Sequence, residues 1–175
     1  MEQVKQRLGP FQNKTKVSHK LENAKLTYSN GSFYNGQINP QTNARHGFGT
    51  MVCQDGSEYE GNWQDNRPSG PGRLIEADGS YYEGSWLVGR KDGFGTYCMG
   101  KTVYRGQWKQ NNQHGKGVEE FEDGSKFDGT FRQGRKEGRG VLKLANGELY
   151  AGQFIDNKFH GDGLYKWQSG KEYWG

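Results

Sequence analysis

Three of the four histidines, His46, His114 and His160, stand immediately before a Gly-x-Gly pair, and imidazole is the commonest side-chain ligand of metals such as zinc. Their spacing argues against a shared ion. If the intervening segments are hairpins stacked at about 4.8 Å per strand, His114 and His160 lie about 19 Å apart, against metal–nitrogen bonds near ~2.1 Å. The recurring histidine is therefore read as a structural hydrogen-bonding group, and no metal site is expected. Cys53 and Cys98 fall at different offsets from their Gly-x-Gly pairs and form no Cys-x-x-Cys, which gives neither a disulfide framework nor a thiolate zinc site. Free thiols fit a reducing compartment. The Gly-x-Gly pairs open strands rather than helices and carry no G-x-x-x-x-G-K-[ST] pattern, so they are not phosphate loops. Paired acids such as Glu119 and Glu120 read as a solvated strand face, and no Ser, His and acid constellation appears. No catalytic residue and no cofactor are expected, and the protein is read as non-enzymatic.

The same residue types make sense as architecture. Glycines at Gly36, Gly61, Gly84, Gly106, Gly129, Gly152 and Gly175 recur at steps of 25, 23, 22, 23, 23 and 23 residues, a period that marks a repeat array. An aromatic stands two residues before each: Tyr34, Tyr59, Tyr82, Tyr104, Phe127, Tyr150 and Tyr173. A large apolar residue stands two after the first six: Ile38, Trp63, Trp86, Trp108, Phe131 and Phe154. Positions i, i+2 and i+4 share one face of a strand and scatter around a helix. Further on come the Gly-x-Gly pair and a turn dipeptide: Asn30-Gly31, Asp55-Gly56, Asp78-Gly79, Gly100-Lys101, Asp123-Gly124, Asn146-Gly147 or Ser169-Gly170. Asn-Gly and Asp-Gly between short strands predict two-residue type I′ hairpins.

The expected fold is all-β: an elongated, single-layer antiparallel β-hairpin solenoid of about seven hairpins, twisted and grooved, with turns near 30, 55, 78, 100, 123, 146 and 169. A two-residue turn at Asp55-Gly56 would put Val52 opposite Tyr59, Thr50 opposite Gly61 and Phe48 opposite Trp63. Seven hairpins would span about 65 Å. Rings on one face would form ladders, each glycine leaving room for its neighbours.

Composition fits a thin core. The chain of 175 residues is only 30% hydrophobic but 14% aromatic, and its aromatics hold a fixed register that disordered sequence would not keep. Of the 29 glycines, Gly9 alone lies outside the repeat. The net charge of +4 resides in residues 1–33, where Lys5, Arg7, Lys14, Lys16, Lys20 and Lys25 face Glu2 and Glu22, and the remainder is balanced. A neutral array is no polyanion binder, so no nucleic-acid partner is expected. Residues 1–20 are expected to form a basic, extended or disordered arm, and residues 21–175 the array, with Val17, Leu21 and Leu26 able to lie against the first hairpin. No apolar leader and no run of apolar residues long enough to span a bilayer is present, which points to a cytoplasmic protein. The strand ending at Gly175 is expected to offer an edge to a second copy or another chain.

The residues Y-E-G-x-W, then H-G-x-G, then D-G, resemble the MORN (membrane occupation and recognition nexus) repeat over residues 34–175. Ser69, Asp92 and Glu137 depart from its histidine, and Met99-Gly100-Lys101 from its D-G turn. The resemblance implies a hairpin solenoid with a concave groove, of the kind found in radial spoke heads and other ciliary or cytoskeletal scaffolds, in junctophilins, in plant phosphatidylinositol phosphate kinases and ahead of a methyltransferase domain. The favoured reading is a non-catalytic scaffold in a ciliary, axonemal or other cytoskeletal assembly. Its groove would bind extended or helical segments of partner proteins through Tyr34, Tyr59, Trp63, Tyr82, Trp86, Tyr104, Trp108, Phe127, Phe131, Tyr150 and Phe154. The alternatives are a peripheral, phosphoinositide-binding membrane adaptor, which needs a basic face the neutral array lacks, and a regulatory module of an enzyme such as a lipid kinase.

Overall fold

The computed structural model describes residues 1–12 and 21–175; Lys14, Lys16, Val17 and Lys20 lie outside the described residues. Among the described residues, one helix, α1 (Glu2–Leu8), precedes fourteen strands: β1 Glu22–Thr27, β2 Phe33–Ile38, β3 Arg45–Val52, β4 Glu58–Gln64, β5 Arg67–Ile75, β6 Tyr81–Leu87 and β7 Arg90–Met99, then β8 Thr102–Lys109, β9 Asn112–Glu120, β10 Lys126–Arg132, β11 Arg135–Lys143, β12 Leu149–Ile155, β13 Lys158–Lys166 and β14 Glu172–Trp174. The strands form an antiparallel hairpin-repeat sheet in chain order. By compactness the chain divides within β7 into two units, Met1–Asp92 and Gly93–Gly175.

The register differs by one residue from that predicted. Met51, not Val52, pairs with Tyr59, and Gly49, not Thr50, pairs with Gly61. The cause is the turn. Gly56 N–H donates to Cys53 O at 3.0 Å and Cys53 N–H to Ser57 O at 2.8 Å, which makes a three-residue loop with Gly56 alone at positive φ, 89°. Asp55 stays in the ordinary region because its carboxylate accepts the Ser57 N–H at 2.9 Å, an Asx turn that favours a type I bend closed by a glycine bulge. The two-residue turns with positive φ at both positions lie at the other end of the strands: Asp65-Asn66, Val88-Gly89, Gln110-Asn111, Gln133-Gly134 and Asp156-Asn157. These tips are tied to the preceding repeat through the backbone, as in Asn66 N–H to Arg45 O (3.0 Å) and Asn157 N–H to Lys136 O (3.1 Å).

The corrected register lines up the glycines. In the first unit Gly36, Gly49, Gly61, Gly72 and Gly84 are successive cross-strand partners. In the second, Gly95, Gly106, Gly117, Gly129, Gly140, Gly152 and Gly163 do the same. A row without Cβ atoms runs across the strands, and the ring two residues before each triplet glycine lies over it. A Cβ on Gly61 would stand 2.7 Å from the Tyr59 hydroxyl and 2.8 Å from Pro71 O, so no larger residue fits. The first glycine of each Gly-x-Gly pair sits by a bulge, where register shifts between Gly61 and Trp63, Gly106 and Trp108, and Gly129 and Phe131. Two extra residues of the Gly-x-Gly strand are taken up there, and the large side chain lies beside the ring of its own triplet.

The N-terminal residues are not extended as the sequence reading expects. Glu2–Leu8 is α-helical and lies on the first unit. Seven residues, only Val4 and Leu8 of them apolar, do not hold a helix in water; contacts with the sheet supply what the local sequence lacks. Leu21 reaches the first unit near Gly47.

Candidate functional site

The eleven residues predicted to line the groove are brought together within each unit, but as its core: none is more than 7% exposed. Within each unit, rings pack edge-on against large aromatic residues of their own triplet and of the next. Tyr59 lies 5.0 Å from Trp63 and 5.3 Å from Trp86; Phe127 lies 5.2 Å from Phe131 and 4.9 Å from Phe154. Edge-to-face contacts at these separations are the favoured aromatic geometry. The polar atoms are satisfied internally. Tyr34, Tyr59, Tyr82, Tyr104 and Tyr150 donate their hydroxyls to the carbonyl three residues on, Gln37, Asn62, Ser85, Gln107 and Gln153, at 2.6 to 2.9 Å. Trp63, Trp86 and Trp108 donate Nε1–H to Gly49, Gly72 and Gly95 carbonyls. Burial pushes the Tyr34, Tyr59 and Tyr104 hydroxyls well above their ordinary pKa, so they remain proton donors. The rings are the wall beneath any binding surface, and the structural glycines Gly36, Gly61, Gly84, Gly106, Gly129 and Gly152 are its floor.

Above the rings stand residues that sequence reasoning missed. The residue two before each Gly-x-Gly pair is Arg45, Pro68, Lys91, Gln113, Lys136 or Phe159, and its side chain roofs the aromatic face in four of the six. Arg45 Cζ lies 4.3 Å from the Trp63 ring centre and 5.9 Å from Tyr34. Lys91 Nζ lies 5.1 Å from the Tyr82 ring, and burial lowers its pKa against the raising pull of Glu76. Lys136 Nζ lies 5.2 Å from the Phe127 ring and bonds Glu119 Oε2 at 2.8 Å. Phe159 stacks on Tyr150 with ring centres 3.9 Å apart. Cations over ring faces add about 0.5–1 kcal/mol each. The signal was present as a cation at a fixed offset from glycine, and it was masked by the proline and glutamine that alternate with it.

The opposite face of the first unit carries Glu58, Glu60, Arg73, Ile75, Tyr81 and Glu83. Here α1 and the chain after it are seated. Lys5 Nζ pairs with Glu58, Arg7 lies 5.9 Å from the Tyr81 ring, and Phe11 stacks parallel to Phe48 at 6.3 Å. Arg73, only 5% exposed, donates to Glu83 at 2.8 Å and to Gly9 O at 2.7 Å. Burial holds the Glu60 carboxyl above the usual carboxylate range, against the lowering pull of Arg73 and Lys5. Glu60 is half-buried beside this segment. A cavity of about 450 Å³ remains between the segment and the sheet, lined by Glu2, Lys5, Gly9, Glu58, Glu60 and Arg73 among others.

His46 Nδ1 lies 3.5 Å from Asp65, while His160 offers its main-chain carbonyl to Tyr150 at 3.4 Å. Among the described residues no group of three metal-ligating side chains forms, and no described helix is long and apolar enough to cross a membrane.

Hairpins in chain order, rings filed over a glycine row and tips tied to the preceding repeat define a β-hairpin repeat protein. The chain matches the MORN repeat at residues 43–58, 59–81, 82–100, 104–126, 127–148 and 150–172, and it belongs to the MORN repeat family. No curated protein matches it in sequence. Among solved structures it is similar to the TCP domain of Drosophila melanogaster SAS-4 (dCPAP), in complex with a proline-rich motif of Ana2 (dSTIL), at 12% identity and a TM-score of 0.48 over 96% of this chain and 98% of that one. The wild-type TCP10 domain of Danio rerio CPAP, in complex with a peptide of Danio rerio STIL, is similar at 12% identity and a TM-score of 0.42 over 86% of this chain and 81% of that one. At these values neither likeness carries an argument about this chain.

Proposed function

We propose that this chain is a non-catalytic scaffold whose sheet holds segments of partner proteins within a ciliary, axonemal or other cytoskeletal assembly of the cytoplasm. The observation that carries the binding reading is that a face of the first unit already holds a peptide, the chain's own Glu2–Phe11, through an ion pair, a main-chain hydrogen bond and an aromatic stack. The cytoskeletal setting rests on the family's usual company. A self-satisfied ring core leaves the roofing residues and the opposite face as the contact surfaces, on a sheet with little conformational entropy to lose on binding. The rings named from sequence act in this reading by shaping those surfaces.

Exposed cations favour a protein partner over a lipid surface. Arg105 and Lys126 both meet Glu120, Arg135 meets Asp156 and Lys166 meets Glu172, so their charge is offset by acids of neighbouring strands. An anionic leaflet is drawn to several uncompensated cations, each worth about 1 kcal/mol.

Panning a random peptide library against the full chain, with hydrogen exchange to map the protected strands, tests the reading. Enriched peptides that protect one sheet face support it. No enrichment, together with flotation on phosphoinositide vesicles, would replace it with the membrane adaptor. A fluorescent fusion that stays diffuse in a ciliated cell would remove the cytoskeletal setting.

A further inference from the structure

We propose that the face of β4–β6 is a binding site for a short basic segment of another protein, and that Glu2–Phe11 occupies it in cis as a displaceable stand-in. The inference rests on the protein-binding reading above and specifies one site and one ligand chemistry.

The seat is acidic and the occupant basic. Glu58 and Glu60 on β4 and Glu83 on β6 flank one buried guanidinium, Arg73 on β5, and the helix above brings Lys5 to Glu58 and Arg7 over the neighbouring Tyr81 ring. The occupant is intrinsically weak. It is seven residues long, has no side-chain N-cap bond and has no buried residue, so its helical form depends on the sheet beneath. It also fits loosely, leaving the cavity of about 450 Å³ between itself and the strands. Its anchors are separate and of different kinds: the Lys5–Glu58 pair, the Arg73 bond to Gly9 O, and Phe11 lying over Phe48 with Arg73 5.5 Å from its ring.

These anchors describe the ligand. It is a segment with about two helical turns, cations on the side facing the sheet, a break that frees a carbonyl for Arg73, and an aromatic residue just beyond. The matching face of the second unit carries a different set, with Arg105, Glu120, Lys126, Asp128 and Lys143 mixed in sign, and offers no such complement to a basic helix.

The test uses the full chain and a fluorescein-labelled synthetic peptide of residues 1–12 as the probe. In the wild type the tethered copy competes at high effective concentration, so the probe binds weakly. Lys5→Glu with Arg7→Glu repels the tethered copy and leaves the sheet untouched. The probe should then bind about tenfold or more tightly, with raised amide exchange in α1. Adding Glu58→Lys to that variant should abolish the gain. Equal probe affinity in wild type and double variant, or a gain that survives Glu58→Lys, would overturn the proposal. If library peptides bind but protect other strands and the probe never competes with them, this site fails while the scaffold reading stands. If no peptide binds any form, both fail.

Discussion

Gly61 faces Gly72 across β4 and β5, and the Tyr59 ring lies over the pair with its hydroxyl donated to Asn62 O at 2.9 Å. The strand pairing leaves no freedom for a side chain there, because Pro71 O on the opposing strand would stand 2.8 Å from a Cβ on Gly61. Gly61→Ala is therefore expected to cost about 3 kcal/mol as overpacking. Gly56→Ala, at φ 89° but with nothing within 4 Å of its Cβ, should cost about 1 kcal/mol from the left-handed backbone alone. Urea midpoints of the two variants check this; equal losses would mean that the ring does not depend on the glycine row.

Tyr59→Phe removes one buried hydrogen bond and no volume, and should lower stability by about 1 kcal/mol. Trp63→Ala removes a 5% exposed indole, its bond to Gly49 O and the contact with Arg45, at about 4 kcal/mol. Denaturant unfolding measures both. The larger loss bears on binding: a Trp63→Ala, Trp108→Ala protein should fail as a partner-binding probe because it unfolds, whereas Lys5 and Glu58 variants report on a surface.

The reach of the sequence follows from these same residues. Tyr59, Gly61 and Trp63 disclosed a strand and a repeat because their spacing is a backbone property. Their depth was not legible, since a ring on one face of a single sheet reads alike whether it meets a partner or the next repeat's ring. The register slipped by one because Asp55-Gly56 suits a two-residue and a three-residue loop, and the Asp55–Ser57 hydrogen bonds that choose between them are local to the fold. Helix α1 had no sequence signal because its stability lies in Glu58, Arg73 and Phe48, far along the chain.

Glu60 should give stability an inverse pH dependence. It is faced by Lys5 from α1, Glu58 on its own strand, Arg73 on β5 and Glu83 on β6, and burial outweighs the two cations to raise its pKa. A raised folded pKa means that the folded state binds more protons between the unfolded and folded values, so this contribution falls as pH rises through that window. Glu60→Gln should raise the urea midpoint at pH 7, with the gain shrinking as pH drops through the raised pKa and below the ordinary 4.5. A gain that stays constant with pH would refute the assignment.

Asp55 and Asp78 act in the other sense. Hydrogen bonds from the Ser57 and Ser80 side chains, then from their backbones, hold these carboxyls below the ordinary 3.8. Their stabilisation is present above that value and is lost as pH falls through the folded pKa. Asp55→Asn with Asp78→Asn keeps an oxygen to accept the bond and loses the titration. The acid limb of the variant's stability curve, followed by circular dichroism below pH 3.8, should be flatter than that of the wild type; a coincident limb would place the acid sensitivity elsewhere.

Val88 opens one of the two-residue turns at φ 49°, where the other repeats place Asp65, Gln110, Gln133 and Asp156 at 47° to 51°. A β-branched side chain crowds its own backbone in that region, while asparagine tolerates it. Half of Val88 is exposed (51%), so little apolar burial offsets the strain. Its N–H bond to Ser69 Oγ at 3.2 Å belongs to the main chain and survives substitution. Val88→Asn should stabilise the protein by about 1 kcal/mol, and Asp156→Val should destabilise it by a similar amount. Thermal unfolding of the two variants decides the matter. A loss in Val88→Asn would show that the exposed side chain makes contacts worth more than its backbone strain, and would turn this tip from a tolerated defect into a held position.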